Sequence, residues 1–307
     1  MEPAASSFQY GIVRERPLVA IGDDPERVAD ARAASDAAER PFARSLAFAD
    51  VEASLSQQIS LGGVLVEAAG VAPALLDTAL IRVDAIARDR DIGVIVALAP
   101  DQIDTAWAHV TSPHAQLLVN PSVAERAAAI AQLPSAAARL HDAGRDEAER
   151  LRALNTEVAR IAATLARLTR DAAAASSPVE GAPPVEVIDE APPVEARDVR
   201  ALIRARRLRE QFFAAELFAD PAWDMLLDLY AAELEYGRVS VSSLCIAAAV
   251  QGTTALRWIG TMIDAGLFER QADQFDRRRA FVGLTSKARN GLHRYFAALA
   301  KSGLAGG

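Results

Sequence analysis

Residues 239–285 constrain the fold of this chain most, because their order predicts two short helices joined by a tight turn. The run at 241–250 is apolar with interspersed serines, which indicates a short buried helix. The next four residues, Gln251-Gly-Thr-Thr254, supply glycine and hydroxyl groups that suit the end of one helix and the cap of the next. A second helix is predicted at 255–264, so the segment is expected to form a helix-turn-helix.

The second of these helices has one apolar face. Leu256, Ile259 and Ile263 recur at helical spacing, which places them on the side that packs against a core. Polar residues stay off that face and are available to a partner: Thr253, Thr254, Arg257 and Thr261.

A β-hairpin is predicted directly after this helix. Two β-like runs at 267–270 and 280–284 flank a polar loop at 271–279. The loop ends in three consecutive arginines, Arg277, Arg278 and Arg279. The hairpin is therefore expected to be a wing with a cationic tip.

Residues 253–270, the loop at 273–279 and the pair Leu284-Thr285 together resemble the winged helix-turn-helix of MarR-type transcription regulators. In that family the second helix enters the major groove of DNA, and the wing touches the neighbouring backbone or minor groove. The resemblance covers a domain predicted at 199–307 and implies double-stranded DNA as a partner. It implies DNA contacts at Gln251, Thr253, Thr254, Arg257, Thr261, Arg277, Arg278 and Arg279.

An α/β domain is predicted at 16–134, where short apolar runs alternate with helical stretches. Strands are predicted at 17–21, 45–48, 61–66, 92–98 and 115–119. Their apolar residues are continuous rather than alternating, which is typical of a parallel sheet covered by helices on both faces. The predicted fold is a doubly wound, five-stranded parallel sheet of flavodoxin-like size.

The length and element order of this domain resemble a response-regulator receiver domain. That resemblance places the metal-binding acids at Gly22-Asp23-Asp24, where Gly22 replaces one of them, the phosphoacceptor at Glu67, the hydroxyl at about Ala97 and the lysine at Asn120. Mg²⁺ needs several oxygen ligands, and a phosphoryl acceptor needs a cation beside it. With the hydroxyl and the lysine replaced, we expect a pseudo-receiver without phosphorylation, metal or cofactor.

The roles of the acidic residues stay open at this stage. Glu67 either mimics a permanently charged phosphoacceptor or is an ordinary solvated residue at the end of a strand. Asp23 and Asp24 are either remnants of a metal site or a cap with favourable charge for the helix that Pro25 begins.

A long helix is predicted at 135–170, and its apolar residues predict a coiled coil. They alternate steps of three and four residues, the spacing of a seam that calls for a partner helix: Leu151, Leu154, Val158, Ile161, Leu165 and Leu168. We expect a homodimer, to which Leu292 and Phe296 of the last helix contribute by the MarR-type resemblance. The alternative is an amphipathic helix packed on its own sheet.

Two segments are predicted to have no packed core. Residues 171–198 are rich in Pro, Ala and Glu and predict a disordered, flexible linker. Residues 1–15 predict a disordered N-terminus without the apolar segment of a signal peptide. No apolar run approaches the roughly 20 residues of a membrane span, so we expect a cytoplasmic protein with no membrane contact.

Charge is distributed unevenly along the chain. The net charge is −8, but residues 199–301 contain 15 Lys and Arg against 11 Asp and Glu, a net +4. The rest of the chain therefore carries −12, which suggests an acidic sensor joined to a basic reader. The single cysteine, Cys245, and four scattered histidines give no metal or catalytic cluster, so an enzyme is not expected.

The sequence favours a dimeric, sequence-specific DNA-binding transcription regulator. The alternative is a signalling scaffold, in which the winged helix and the pseudo-receiver both bind proteins, including a regulatory protein on the pseudo-receiver. Exposure of Trp258 beside Arg257 would favour the scaffold, and burial of Trp258 with Ile259 would favour DNA binding. Arg257 itself is alternatively a surface salt-bridge partner of Asp264 or Glu269.

Overall fold

The structure is a computed structural model, and it describes residues 15–134, 194–273, 276 and 279–302. All of these belong to one compact unit, in which an α/β domain precedes a winged helix domain. Residues 1–14 of the predicted disordered N-terminus at 1–15, and residues 171–193 of the predicted linker at 171–198, lie outside the described residues. So does the predicted coiled coil, with Leu151, Leu154, Val158, Ile161, Leu165 and Leu168.

The α/β domain alternates strands and helices as the sequence predicts. Its elements are β1 (Leu18–Ile21), α1 (Pro25–Ala37), β2 (Phe42–Leu46), α2 (Val51–Ser54), β3 (Gly63–Glu67), α3 (Pro73–Arg90), β4 (Gly93–Leu98), α4 (Ile103–His109), β5 (Ala115–Val119) and α5 (Val123–Ala131). The strands form one parallel sheet in the order β2-β1-β3-β4-β5, an order found in doubly wound folds. The parallel five-stranded α/β prediction is therefore confirmed, and β5 lies at one edge of the sheet.

Helices cover both faces of this sheet, which explains why its strands are apolar without alternation. On one face, α1 and α5 contribute Ala34 and Ile130 to a core with Leu65. On the other face, α3 and α4 pack over alternate residues of the same strands, such as Val64 and Val96. Residues of the central strands β1, β3 and β4 are therefore buried on whichever face they point to, whereas Ala43, Arg44 and Ser45 of the edge strand β2 are exposed.

The second strand is displaced from its predicted position. The sequence predicts 45–48, whereas β2 runs from Phe42 to Leu46. Phe48 instead begins a 3₁₀ turn, and its backbone N–H donates to the Asp23 carboxylate over 3.0 Å. This side-chain contact replaces the ladder bond that a strand residue would make, so the strand ends earlier.

The winged helix domain has the predicted helix-turn-helix and hairpin. Its elements are α6 (Ala196–Leu208), α7 (Pro221–Leu234), β6 (Val239–Ser240), α8 (Val241–Ala247), α9 (Gly252–Asp264), β7 (Phe268–Ala272), β8 (Ala280–Leu284) and α10 (Ser286–Lys301). The strands form an antiparallel sheet in the order β6-β8-β7. The strand β6 was not predicted, because two residues are too few to show a period. The helix α6 begins three residues before the predicted domain boundary at Val199.

The basic helix α6 is tied to α7 by ion pairs. Arg200 donates to both carboxylate oxygens of Glu235, at 3.1 and 2.9 Å, and to Asp228 at 2.7 Å. The bond to Glu235 is the largest cause, and the bond to Asp228 a further one, of a pKa of Arg200 that lies above its usual value despite partial burial. Arg206 likewise donates to Asp224 over 2.7 Å. These arginines are engaged within the domain rather than presented to a nucleic acid.

Within the described residues, no helix combines the length and apolar composition that crossing a bilayer requires.

Candidate nucleic-acid interface

The helix α9 is presented by a tight turn after α8. Ser240 caps α8 by accepting a 3.2 Å hydrogen bond from the Ser243 backbone N–H. After α8, Ala249 has a φ of 53°, a left-handed conformation that reverses the chain before Gln251 begins α9. The turn therefore fixes the angle at which α9 leaves the domain.

One side of α9 belongs to the core of the winged helix domain. Ala255 and Ile259 are fully buried there, and Met262 is 5 % exposed. At 3.6 residues per turn, a second set of residues lies on the opposite side of the helix. We call this set the outer face; it consists of Thr253, Arg257, Gly260 and Asp264.

The residues that the sequence assigns to DNA occupy two strips of α9. Thr253 and Arg257 lie on the outer face, whereas Thr254 and Thr261 lie on an exposed strip beside it. Gln251, just before the helix, is exposed too. These five residues therefore lie along one side of α9, from its start to its last turn.

Arg257 is exposed on the outer face. Within the described residues, no carboxylate lies within salt-bridge distance of its guanidinium, neither Asp264 nor Glu269. Its backbone carbonyl accepts a 3.0 Å hydrogen bond from the Thr261 hydroxyl, which ties that hydroxyl to the helix. Of these side chains, Arg257 is the one with a free charged donor group.

Thr253 is already bonded to the α/β domain. Its Oγ1 accepts a 2.8 Å hydrogen bond from the backbone N–H of Val119, the last residue of the edge strand β5. The preceding residue, Gly252, lies against the Val119 side chain so closely that a Cβ there would be 3.0 Å from Cγ2. The structure thus places a predicted DNA contact against another part of the same chain.

Two further contacts join the domains beside Thr253. The Asp104 carboxylate of α4 accepts hydrogen bonds from the Ser242 backbone N–H at 2.9 Å and from its hydroxyl at 2.6 Å. Arg270 of β7 donates to the carbonyls of Trp107 at 3.1 Å and Val110 at 3.3 Å. We call these bonds, with the one between Thr253 and Val119, the docking contact.

Arg270 takes part in this contact although part of its side chain stays exposed. Its guanidinium carbon lies 4.2 Å from the centre of the Trp107 ring, a cation–π distance. Burial lowers the pKa of Arg270 below its usual value, although the charge of Asp84 acts in the opposite direction. Sequence reasoning missed this role, because an arginine in the first strand of a wing has no local feature that points to a partner far away in the chain.

A cavity of about 600 Å³ remains between α9 and the edge of the sheet. Its lining includes Trp107, Ser112 and Leu117 on one side and Leu256, Arg257 and Arg270 on the other. Trp107 Nε1 and Ser112 Oγ are buried and have no hydrogen-bond partner among the described residues. The cavity has apolar walls with a few polar groups and is roomy enough for water, so the domains meet without close packing here.

The wing is formed by β7 and β8. Arg279 is exposed, and its Nε lies 3.8 Å from Asp276 across the loop. Arg238 stacks on Phe281 with its guanidinium carbon 3.7 Å from the ring centre, which adds a further cation to this hairpin. The other two predicted tip residues, Arg277 and Arg278, lie outside the described residues.

Glu67 is not the solvated strand-end residue that the sequence predicts as one alternative. It is 3 % exposed, and its two oxygens accept 2.8 Å hydrogen bonds from Nε and Nη2 of Arg126. Burial acts to lower the pKa of Arg126, but the bonds and charge of Glu67 outweigh it and raise the pKa overall. Both carboxylate oxygens of Glu67 are therefore occupied by Arg126.

The remaining receiver positions are engaged in local structure. Asp24 caps α1 through a 3.0 Å bond from the Glu26 N–H, and Asp23 accepts from the Phe48 N–H. Asn120 adopts a φ of 45° after β5, and its N–H donates to the Leu98 carbonyl. Among the described residues, no three side chains of metal-binding type come together.

Leu292 and Phe296, expected at a dimer interface, pack inside their own domain. They are 3 % and 8 % exposed, and Phe296 stacks on Tyr230 with ring centres 5.7 Å apart. Other large apolar residues of this domain are exposed. We call them the apolar surface; it consists of Leu208, Phe212, Phe213, Leu217, Phe218 and Tyr295.

Comparison with known proteins supports the winged helix assignment. Residues 226–288 match the family described as winged helix DNA-binding domain. Among solved structures, the chain is similar to S. aureus MepR in a DNA-binding conformation, at 21% identity over 34% of this chain and 71% of that chain, with a TM-score of 0.24. A MarR family transcriptional regulator from Silicibacter pomeroyi DSS is 24% identical over 33% of this chain and 65% of that chain, with a TM-score of 0.24. No curated protein matches the chain in sequence.

Proposed function

We propose that this protein is a dimeric, sequence-specific DNA-binding transcription regulator whose α/β domain has lost phosphoryl chemistry. The observation that carries the proposal is the unpaired guanidinium of Arg257 on the side of α9 that faces away from the core. It lies within a segment that matches winged helix DNA-binding domains. In such an arrangement α9 is the recognition helix.

Arg257 is suited to read a base. A guanidinium can donate two hydrogen bonds to O6 and N7 of guanine, a pairing worth about 1 to 3 kcal/mol of discrimination. The guanidinium is carried by a helix whose other side is anchored by buried Ile259, so its position is defined. Thr254 and Gln251, both exposed nearby, supply shorter polar groups to the same groove.

The wing supplies affinity rather than sequence preference. Arg279 is exposed at its base, and Arg277 and Arg278 complete the cationic run. Arginine contacts to phosphate release counterions, so they strengthen binding to every sequence and make it depend on salt. Specificity and affinity are thus assigned to different elements of the domain.

The protein is proposed to act as a homodimer, because a helix-turn-helix reader spans two half-sites through twofold symmetry. The heptad residues at 151–168 provide one seam for this dimer. The apolar surface beside α10 provides a second one, since Phe212 and Leu217 expose 71 % and 75 % of their area. Leu292 and Phe296 support that surface from within the core.

The α/β domain is proposed to be a pseudo-receiver. Its phosphoacceptor position carries Glu67, whose carboxylate is already neutralised by Arg126. A group enclosed in this way is not an acceptor for a phosphoryl donor. The domain therefore acts through its surfaces rather than through chemistry.

One observation favours the alternative function, a signalling scaffold. Trp258 exposes 37 % of its surface beside Arg257, while the adjacent Ile259 is fully buried. An exposed tryptophan next to an arginine is a common anchor at protein interfaces. In this alternative, α9 binds a protein instead of DNA.

The proposed function is tested with the purified full chain. Fluorescence anisotropy against genomic and random duplexes, at low and at physiological salt, should show a preferred subset of genomic fragments and weaker binding at higher salt. Light scattering on the same sample should give the mass of a dimer. Asp104→Ala, which removes part of the docking contact, is tested beside the wild-type chain. If the protein is strictly monomeric and neither form binds a duplex at low salt, the proposal is contradicted and the scaffold function remains.

A further inference from the structure

The α/β domain contacts α9 on the side that faces away from its own core. The outer face meets the edge of the sheet at its N-terminal end, where Thr253 is bonded to Val119, while Arg257 and Asp264 line the cavity and remain exposed. The opposite side of α9 is buried in the winged helix domain through Ile259. The α/β domain therefore covers the N-terminal part of the outer face and leaves Arg257 accessible to solvent.

The part of the outer face that the α/β domain covers cannot also lie in a DNA groove. An α-helix with its side chains is about 10 to 12 Å wide, and the major groove of B-DNA is about 12 Å wide. The walls of the groove therefore close around the outer face of any helix that enters it. A protein domain packed on that face excludes the duplex.

The docking contact is specific. Val119 donates to Thr253, Asp104 accepts two hydrogen bonds from Ser242, and Arg270 donates to two carbonyls of the α4–β5 segment. The groups that meet are complementary donors and acceptors. Val119 is at the open edge of the sheet, where a strand has backbone donors without a neighbouring strand.

The docking contact combines polar bonds, a cavity and shared apolar packing. A cavity of about 600 Å³ lies between α9 and the sheet edge, whereas buried Trp107 of α4 and Leu244 of α8 belong to one continuous core. Interfaces between domains of one chain resemble transient protein interfaces unless they are large and hydrophobic. Opening this contact therefore separates apolar residues as well as hydrogen bonds, so the open state needs a ligand such as DNA to stabilise it.

We propose that the α/β domain is an intramolecular inhibitor of DNA binding, in which the edge strand β5 covers the N-terminal part of the outer face of α9 in place of DNA, and α4 holds it there through its bonds to Ser242 of α8. This inference rests on the proposed function, because it assumes that α9 is the DNA-reading helix. It gives the α/β domain a role that needs no phosphoryl chemistry. DNA and the α/β domain compete for Thr253, so DNA binding requires the open state.

A reversible crosslink tests the proposal in the full chain. A Cβ at Gly252 would lie 3.1 Å from the Cβ of Val119, close to the roughly 3.5 to 4.5 Å that a disulfide spans. The variant Val119→Cys with Gly252→Cys, in a Cys245→Ala background, should therefore form a disulfide within one chain when oxidised. Non-reducing electrophoresis and intact mass establish that the bond is intramolecular.

DNA binding of this variant is then measured oxidised and reduced. We expect oxidation to weaken affinity for a bound genomic duplex by at least tenfold, and dithiothreitol to restore it, within the usual range of couplings between two states. The single variants Val119→Cys and Gly252→Cys, treated identically, control for effects of the substitutions and of the oxidant. They should show no change on oxidation.

The outcomes separate this inference from the proposed function. If the disulfide forms and the oxidised protein binds DNA as well as the reduced one, the inhibitory role is wrong while DNA binding stands. If the disulfide does not form in solution, the docked state is not populated, and the inference is overturned again. If neither form binds any duplex and Asp104→Ala does not bind either, the proposed function itself fails.

Discussion

The hydroxyl oxygen of Thr253 accepts a 2.8 Å hydrogen bond from the backbone N–H of Val119, a residue 134 positions earlier in the chain. This bond joins α9 to the edge strand of the α/β sheet. Thr253 is also one of the positions that the helix-turn-helix pattern assigns to DNA. Under the proposed function this one side chain has two mutually exclusive partners, and several consequences of the proposed exclusion are measurable.

Weakening the docking contact should strengthen DNA binding. Asp104→Ala removes the acceptor of both Ser242 hydrogen bonds and leaves the DNA-reading residues unchanged. Hydrogen bonds to a charged group contribute roughly 1.5 to 3 kcal/mol, and in the variant water replaces part of the bonds that Ser242 loses, so the net weakening of the contact is smaller. We expect a gain in affinity of about 2- to 10-fold in a fluorescence anisotropy titration.

The matched control is Asp101→Ala, which removes the same charge from an exposed position in the turn before α4. It should leave the affinity unchanged. An equal gain in both variants would mean that reduced repulsion of DNA, and not release of α9, is responsible.

Replacing Arg257 should relax sequence preference. Arg257→Ala removes the guanidinium that is proposed to bind guanine, at a cost of about 1 to 3 kcal/mol for the preferred sequence only. Competition between preferred and random duplexes should therefore show the two affinities approaching each other. Arg204→Ala is the control, because Arg204 is an exposed arginine of α6, away from α9. A uniform loss on all duplexes would assign Arg257 to phosphate instead.

Replacing Arg279 should weaken binding to every duplex alike. The side chain is 68 % exposed in the wing, where it is proposed to contact phosphate. Loss of one phosphate contact lowers the slope of log affinity against log salt by about 0.9. Titrations of Arg279→Ala at several salt concentrations measure this slope. A change in sequence preference at constant slope would contradict the assignment.

The buried pair of Glu67 and Arg126 should be essential for stability. Glu67→Gln removes the buried counterion of Arg126 in a site where both side chains are nearly inaccessible, and leaves only half-exposed Asp30 near the charge. Breaking such a pair costs roughly 3 to 5 kcal/mol. Urea unfolding followed by circular dichroism measures the loss. Asp30→Asn is the control, since Asp30 is half-exposed and 3.8 Å from the same arginine, and its loss should cost less than about 1 kcal/mol.

Cys245 should be unreactive in the folded protein. Burial, helped by the charge of Asp104, raises the pKa of its thiol to about 12. A raised pKa keeps the thiol protonated at about pH 8, where an ordinary cysteine is partly ionised, so labelling should accelerate only toward strongly alkaline pH. An alkylation time course in buffer and in denaturant checks this. Equal rates in the two conditions would contradict the burial.

Much of the winged helix domain was predictable because its signals are local. The spacing of Leu256 and Ile259 predicts a helix, because apolar residues recur at the helical period. Ala265-Gly266 predicts where that helix ends, and Gly266 adopts a φ of 67° there. The β strands of the α/β domain were predictable for a related reason: burial on both faces leaves continuous apolar runs. The displaced strand β2 shows the limit, since Asp23, 25 residues away, sets where that strand ends.

The sequence by itself determined the α/β sheet, the helix-turn-helix, the wing and the group of polar residues along α9. These follow from steric and hydrophobic preferences that repeat over a few residues. Only the tertiary structure decided what those residues contact: Glu67 meets Arg126 across 59 positions, and Thr253 meets Val119 across 134. The physical reason is that hydrogen bonds and ion pairs between distant segments depend on how whole elements pack, and no local period in the chain encodes that packing.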